Sequence, residues 1–451
     1  MPIFYSPDKL VMYALESPNE GDGNSVVYYR AALHLPWVAV WDRFSWERDH
    51  GITPVPPPPD PGTPGTDPVP GEPPLPPTSG AGFTEHASST AVRPRWSRDQ
   101  IASFLPSTPG PFQFPAPYHT FGVRVTSEGE GTVHPLGMSY WPAINAHGSF
   151  PTLFVLVSLN EQLAVLEVDK TTGAVSFIQG LPYAGTGEGA YWSLSHPTIL
   201  YVPTNGRLVF FDLATGQSGD AAASAKGPIS HCHSSYDGRA HSFELNGHAA
   251  ASWDGNVLPL PSPYGGFDEC QITKSGEYLL SRLLGPDGRQ ANRITHLRTQ
   301  QEWWITDTEL AVGHCDTTWN GVVGEEDQSN PGGVFRHWEF TPNGPVDRGM
   351  VYHMDWTSMT RYASCCNARP GVATALFCSS HEQDHPRANE IVTAPLDGSL
   401  QCRVICPNLA DLTAPGDPYW LKTRAAICPE GQWVAWWSNA HGRGDIFLAR
   451  L

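Results

Sequence analysis

From about residue 150 to the C-terminus, glycine-bearing hairpin turns recur roughly every 40 residues between short β-rich segments. One set of turns falls at Asn205-Gly206, Asp237-Gly238, Ser275-Gly276, Asn320-Gly321 and Glu430-Gly431, and a second at Thr215-Gly216, Asp254-Gly255, Asn343-Gly344 and Asp397-Gly398. Such dipeptides accept the positive φ that tight hairpins require. The glycines of the first set are separated by 32, 38 and 45 residues up to Gly321. Helical periodicity is absent, and runs such as Leu153-Phe154-Val155-Leu156-Val157 read as strands. A hairpin unit of this length cannot bury its faces alone. Stacking such units in a closed ring buries them and removes free edges. The expected fold is therefore all-β: a seven-bladed β-propeller over 131–451 with an irregular N-terminal arm. The blades are placed near 150–187, 190–228, 231–262, 267–309, 312–357, 360–411 and 417–451.

The N-terminal third reads differently. Residues 1–50 form an arm with one or two short strands, at Val26-Val27-Tyr28-Tyr29 and Trp37-Val38-Ala39-Val40-Trp41. Residues 51–80 are a proline-rich linker or loop, with thirteen prolines between 54 and 78. Proline fixes φ and lacks the backbone donor, so this stretch is extended rather than core. Residues 81–130 are an irregular, polar wrapping segment, and one N-terminal strand is expected to complete a terminal blade.

Charge and cysteine content narrow the function classes. A formal net charge of −18 repels phosphate backbones and offers no basic face to an anionic membrane. Nucleic acid and membrane insertion are therefore not expected. There is no run of 18 apolar residues and no charged n-region followed by an apolar stretch. The nine cysteines contain no Cys-x-x-Cys pair and read as buried free thiols of a protein made in a cytoplasm, with virion association as a further expectation.

Ala425-Ala426-Ile427-Cys428-Pro429-Glu430-Gly431-Gln432-Trp433-Val434-Ala435-Trp436-Trp437-Ser438-Asn439 resembles the blade repeat of TolB-like propellers, with Glu430 where that repeat carries Asp. Gly313-His314-Cys315-Asp316 resembles a blade start shared with oligogalacturonate-lyase-like propellers. The likeness covers about 150–451. It implies a lyase alternative in which a His/Gln site binds a divalent metal and a separate histidine removes a proton beside a uronate carboxylate. In that alternative His314, His381 and His385 bind the metal, with Gln383 or Asp316 beside them. His233 is the base, and Arg387 or Arg361 clamps the carboxylate.

Trp319, Trp338, Trp356 and Trp420, with Arg361, are the candidate glycan-binding residues, since indole faces stack on sugar rings. Packing between blades is the competing reading for each. Arg443-Gly444-Asp445 reads as a turn. The sequence lacks a P-loop, a nucleophile elbow and a dinucleotide fingerprint.

The primary expectation is a non-enzymatic recognition or scaffold protein without a cofactor. It would be virion-associated, a phage tail, fibre or capsid-attached propeller binding host glycan or a partner protein. Its arm would dock to other virion or scaffold proteins, and a homo-oligomer is an open alternative. The metal-assisted polysaccharide lyase and a TolB-like protein scaffold are the two alternatives.

Overall fold

The computed structural model describes residues 81–451 apart from 135–138, 185–188, 205, 223–228, 254–255, 307–310, 327–333, 354–359, 415–420 and 441, together with four strands before residue 43. Those four, Ile3–Tyr5, Met12–Glu16, Val26–Arg30 and Val38–Asp42, make an antiparallel meander that belongs to a unit of its own. The proline-rich stretch at 51–80 lies outside the described residues.

The second unit is a seven-bladed propeller. Each blade is an antiparallel sheet, and in blades 1 to 6 the first four strands follow chain order from the inner strand, a, to the outer strand, d. The inner strands are Val133–His134, Tyr191–Trp192, Ile229–Ser234, Glu269–Ile272, Val312–Thr318, Thr360–Ser364 and Ala425–Ile427. Turns between a and b lie on one face of the ring. Strand a begins on the other face, where the b–c turns also lie. Asp237-Gly238, Ser275-Gly276, Asn320-Gly321 and Glu430-Gly431 all join a to b, whereas Asn205-Gly206 joins b to c in blade 2.

Both faces of a blade are covered by its neighbours, which explains why the middle strands are apolar without alternation. Leu153 to Val157 are all buried, as are Leu163 to Leu166. Trp436 is fully buried and stacks on Phe447 at 5.8 Å, while its Nε1 donates to the Asn408 carbonyl of blade 6 at 2.9 Å.

The segment 81–130, expected to be irregular, supplies three strands and the short helix Arg98–Ala102. Phe83–His86 adds a fifth strand to blade 6. Phe121–Arg124 is the outer strand of blade 7, and Gly110–Gln113 lies beyond it. Chain preceding blade 1 therefore closes the last blade. Arg124 fixes this closure with a buried ion pair to Asp445 at 2.6 Å, so the Arg443-Gly444-Asp445 turn is structural. No helix among the described residues is long and apolar enough to cross a membrane. All nine cysteines are free and buried.

Between blades 2 and 3, Tyr191 Oη, Ser234 Oγ and His241 Nδ1 form a buried chain with 2.7 Å links. Burial drives the His241 pKa from 6.5 down to about 4. The unfolded chain therefore binds this proton before the folded one does, and stability is lost as pH falls through that window. The expected loss is about 3 kcal/mol, read as a falling denaturant midpoint. A midpoint that stays flat across the window would contradict this account of His241.

Candidate active site at the channel mouth

Inner strands of a propeller line its axis, so residues at their starts converge on one mouth although they are far apart in sequence. Two of these strands are bulged. The register shifts between Ser230 and His233 in blade 3 and between Val312 and Cys315 in blade 5. His231 takes a φ of 46°, unusual for a non-glycine residue. Bulges re-aim side chains, and here they fall at His231 and His314.

His314 Nδ1 lies 3.2 Å from Glu325 Oε1, and its ring is 5.1 Å from the Tyr362 ring of blade 6. Arg424 of blade 7 donates from Nε to Tyr362 Oη at 3.3 Å. In blade 3, His231 Nδ1 is 3.7 Å from Glu244 Oε2. Between these blades, Glu269 pairs across its hairpin with Arg282, whose Nη1 reaches Asp268 at 2.8 Å. Burial raises the Glu269 carboxyl pKa, and the charges of Arg282, His314 and His231 oppose that rise. Glu269 is thus within electrostatic reach of both bulge histidines. Its Oε1 is buried and has no hydrogen-bond partner.

The channel is plugged below this mouth. Ser139, before strand b of blade 1, accepts at its carbonyl from Cys366 Sγ of blade 6 at 3.5 Å. Trp141 donates from Nε1 to the Cys232 carbonyl of blade 3 at 2.7 Å and stacks on His233 at 5.2 Å. Residues 139–141 therefore touch inner strands on opposite sides of the ring. The channel wall also holds the ion pair between Lys274 Nζ and Asp316 Oδ1, at 2.9 Å.

Of the residues singled out from the sequence, His314 is at the mouth. His233 is 2% exposed beneath Trp141, and burial and the Lys274 charge push its pKa well below the ordinary range, so it is a sealed neutral residue and not a base open to substrate. Arg387 is 1% exposed and ion-paired with Glu85, donates to the His86 carbonyl and lies over Tyr352. It locks Phe83–His86 to blade 6 and is not a free clamp. His381 and His385 come together on the b–c loop of blade 6, with rings 4.5 Å apart, and His381 Nδ1 accepts from the Gln383 amide at 2.9 Å. Asp316 serves Lys274. Trp338 is a core residue beside Tyr278 and Phe340. Trp319 is half-buried at the a–b turn of blade 5, on the face opposite the mouth. Trp356, Trp420 and the Arg361 side chain lie outside the described residues. Glu269, Arg282, Tyr362 and Arg424 were not singled out from the sequence. Their one common signal is a place at a blade start or on the strand paired with it.

One group of three potential metal-ligating side chains among the described residues has its donor atoms within 4.8 Å of one another: His147, Cys428 and Glu430. It lies among the a–b turns of blades 1 and 7, on the face opposite the mouth. The trio His314, His381 and His385 forms no such group.

No protein-family model and no curated protein matches the chain. Solved structures do. An oligogalacturonate lyase in complex with manganese overlays with a TM-score of 0.53 at 13% identity, covering 77% of this chain and 97% of that one. An oligogalacturonate lyase from Vibrio parahaemolyticus gives 0.52 at 10% identity, covering 76% and 97%. A putative TolB from Agrobacterium tumefaciens matches over 48% of this chain and 83% of its own, with a TM-score of 0.33 at 12% identity. The two lyase overlays show that the fold is that of these propellers. Neither overlay supports the expected virion or phage role.

Proposed function

We propose that the channel mouth is the active site of a lyase that cleaves uronate-containing oligosaccharides by β-elimination. The observation that carries this reading is the convergence of two bulge-presented histidines, half-buried Glu269, Arg282 and the Tyr362–Arg424 pair above a sealed channel. The overlay on two lyases of the same fold is consistent with it.

Elimination removes the proton at C5, forms the C4–C5 double bond and breaks the bond from C4 to the glycosidic oxygen, which leaves with a proton. His314 takes the C5 proton. With its Nδ1 proton facing Glu325, Nε2 is the free acceptor, and the carboxylate stabilises the imidazolium that forms. Arg282 and Arg424 orient the uronate carboxylate and neighbouring hydroxyls. Tyr362 Oη, next to Arg424, is placed to protonate the leaving oxygen.

A divalent cation fits the remaining groups in type and charge. Glu244, Asp268, Glu269 and Glu325 outnumber Arg282 and Arg424, and the orphaned Glu269 Oε1 calls for a cationic partner. His231, Glu244 and Glu269 would hold it. No three donors at the mouth lie within 4.8 Å of one another among the described residues, so binding requires a side chain to turn, and His231 is exposed enough to do so. The ion would supply charge neutralisation for the uronate carboxylate.

The test is incubation with oligogalacturonates, ulvan and bacterial exopolysaccharides while following ultraviolet absorbance. The expected result is a rise from the conjugated unsaturated product. Tight binding without product on any of these substrates would replace this reading with the non-enzymatic one, glycan recognition by the same face.

A further inference from the structure

His147, Cys428 and Glu430 cluster at the seam between the first and last blades. The seam carries an inference that goes beyond the lyase reading. We propose that His147, Cys428 and Glu430 bind a zinc-class divalent cation that straps blade 1 to blade 7, where the ring closes.

The three donors face one another. His147 Nε2 is 3.2 Å from Glu430 Oε2 and 3.6 Å from Cys428 Sγ. His147 and Cys428 are fully buried, and the Glu430 side chain is 17% exposed, so the group opens to solvent only past the carboxylate. Each donor is arranged as a metal ligand would be.

Cys428 begins the a–b turn of blade 7. Gly431 closes that turn with a φ of 74°, and its amide donates to the Cys428 carbonyl at 2.9 Å. The turn aims two further amides at the sulfur, Gln432 at 3.3 Å and Trp433 at 3.2 Å. Amide donors gathered on a sulfur stabilise a thiolate far more than a thiol. A buried thiolate in turn needs a cation beside it.

His147 Nδ1 sits 3.2 Å from the Gly148 carbonyl, and donating to it would leave Nε2 as the ligating nitrogen. Gly148 donates its amide to Glu430 Oε1 at 2.8 Å, which orients the carboxylate. Glu430 Oε2, the oxygen turned to the cluster, is buried and has no hydrogen-bond partner. A nearby cation, Lys170, is 3.2 Å from Nδ1, on the far side of the ring from Nε2, and it also donates to the Gly148 carbonyl. A donor set of thiolate, imidazole and carboxylate selects Zn²⁺ over oxygen-seeking Mg²⁺, Ca²⁺ or Mn²⁺. Three protein ligands leave one position for water.

The test uses the full-length protein and Co²⁺ as the probe, because a sulfur–cobalt charge-transfer band in the near ultraviolet requires a thiolate ligand. The expected result is a saturable band at one ion per chain that Zn²⁺ displaces and a chelator abolishes. Cys428→Ser should lose the band, and Glu430→Gln should weaken Co²⁺ affinity at least about tenfold. No band in the wild-type protein, or a band that survives in Cys428→Ser, overturns the proposal. If Cys428→Ser does not fold, the wild-type titration and the Glu430→Gln affinity decide it alone. An ion held at the channel mouth has no sulfur ligand and gives no such band, so this outcome is independent of the lyase assay.

Discussion

Replacing Asp316 with alanine is expected to destabilise the propeller by about 3–5 kcal/mol, the usual cost of stranding one partner of a buried ion pair. Asp316 and Lys274 have side chains 0% and 2% exposed. They join the inner strand of blade 5 to the turn that follows the inner strand of blade 4. Asp316 also accepts from the Cys365 amide of blade 6, so one carboxylate serves three neighbouring blades. Burial alone would lower the Lys274 pKa, and the Asp316 charge keeps it above its ordinary value. In the variant, the ammonium loses that charge and the Cys365 amide loses its acceptor. Because the penalty comes from the stranded charge, the double change Asp316→Leu with Lys274→Met should recover most of the loss. Denaturant midpoints measure both. A cost below about 1 kcal/mol for Asp316→Ala would contradict the account of the channel wall.

The blades were legible in the sequence because their punctuation is local. A hairpin needs positive φ at its turn, and Gly238, Gly276 and Gly431 supply φ of 68°, 77° and 74°. The closing strands at 83–124 were less legible. Their residues are polar and proline-interrupted, and they form strands by pairing with outer edges that belong to residues more than 300 positions away, such as Phe447 opposite Arg124. An aromatic signal was present nonetheless, for Trp96, Phe104, Phe112 and Phe114 pack together there.

The site was legible only in part. His314 stood out as a histidine at a blade start. Glu269, Arg282 and Arg424 are ordinary charged residues until the ring brings blades 4 and 7 to one mouth. His233 was taken for the base by its position in a blade-start motif. The bulge at His231 and the Trp141 plug, neither of which has a sequence signature, set the two histidines apart. Arg387 and His381-His385 form a dense polar run, but the run serves the rim: Arg387 binds Glu85, and Asp384 pairs with Arg95 at 3.5 Å.

The central claim is that chemistry occurs at the channel mouth, with His314 as the base. The most direct measurement compares turnover of an oligogalacturonate by His314→Ala and His381→Ala, each shown to be folded. Removing a general base costs about 10²–10⁴-fold in rate. His314→Ala should lose turnover on that scale with substrate binding largely kept, and His381→Ala should stay within about threefold of the wild type, since its imidazole is engaged by the Gln383 amide of its own loop. Full activity in His314→Ala, or a collapse confined to His381→Ala, would move the reaction off the channel mouth and contradict the assignment.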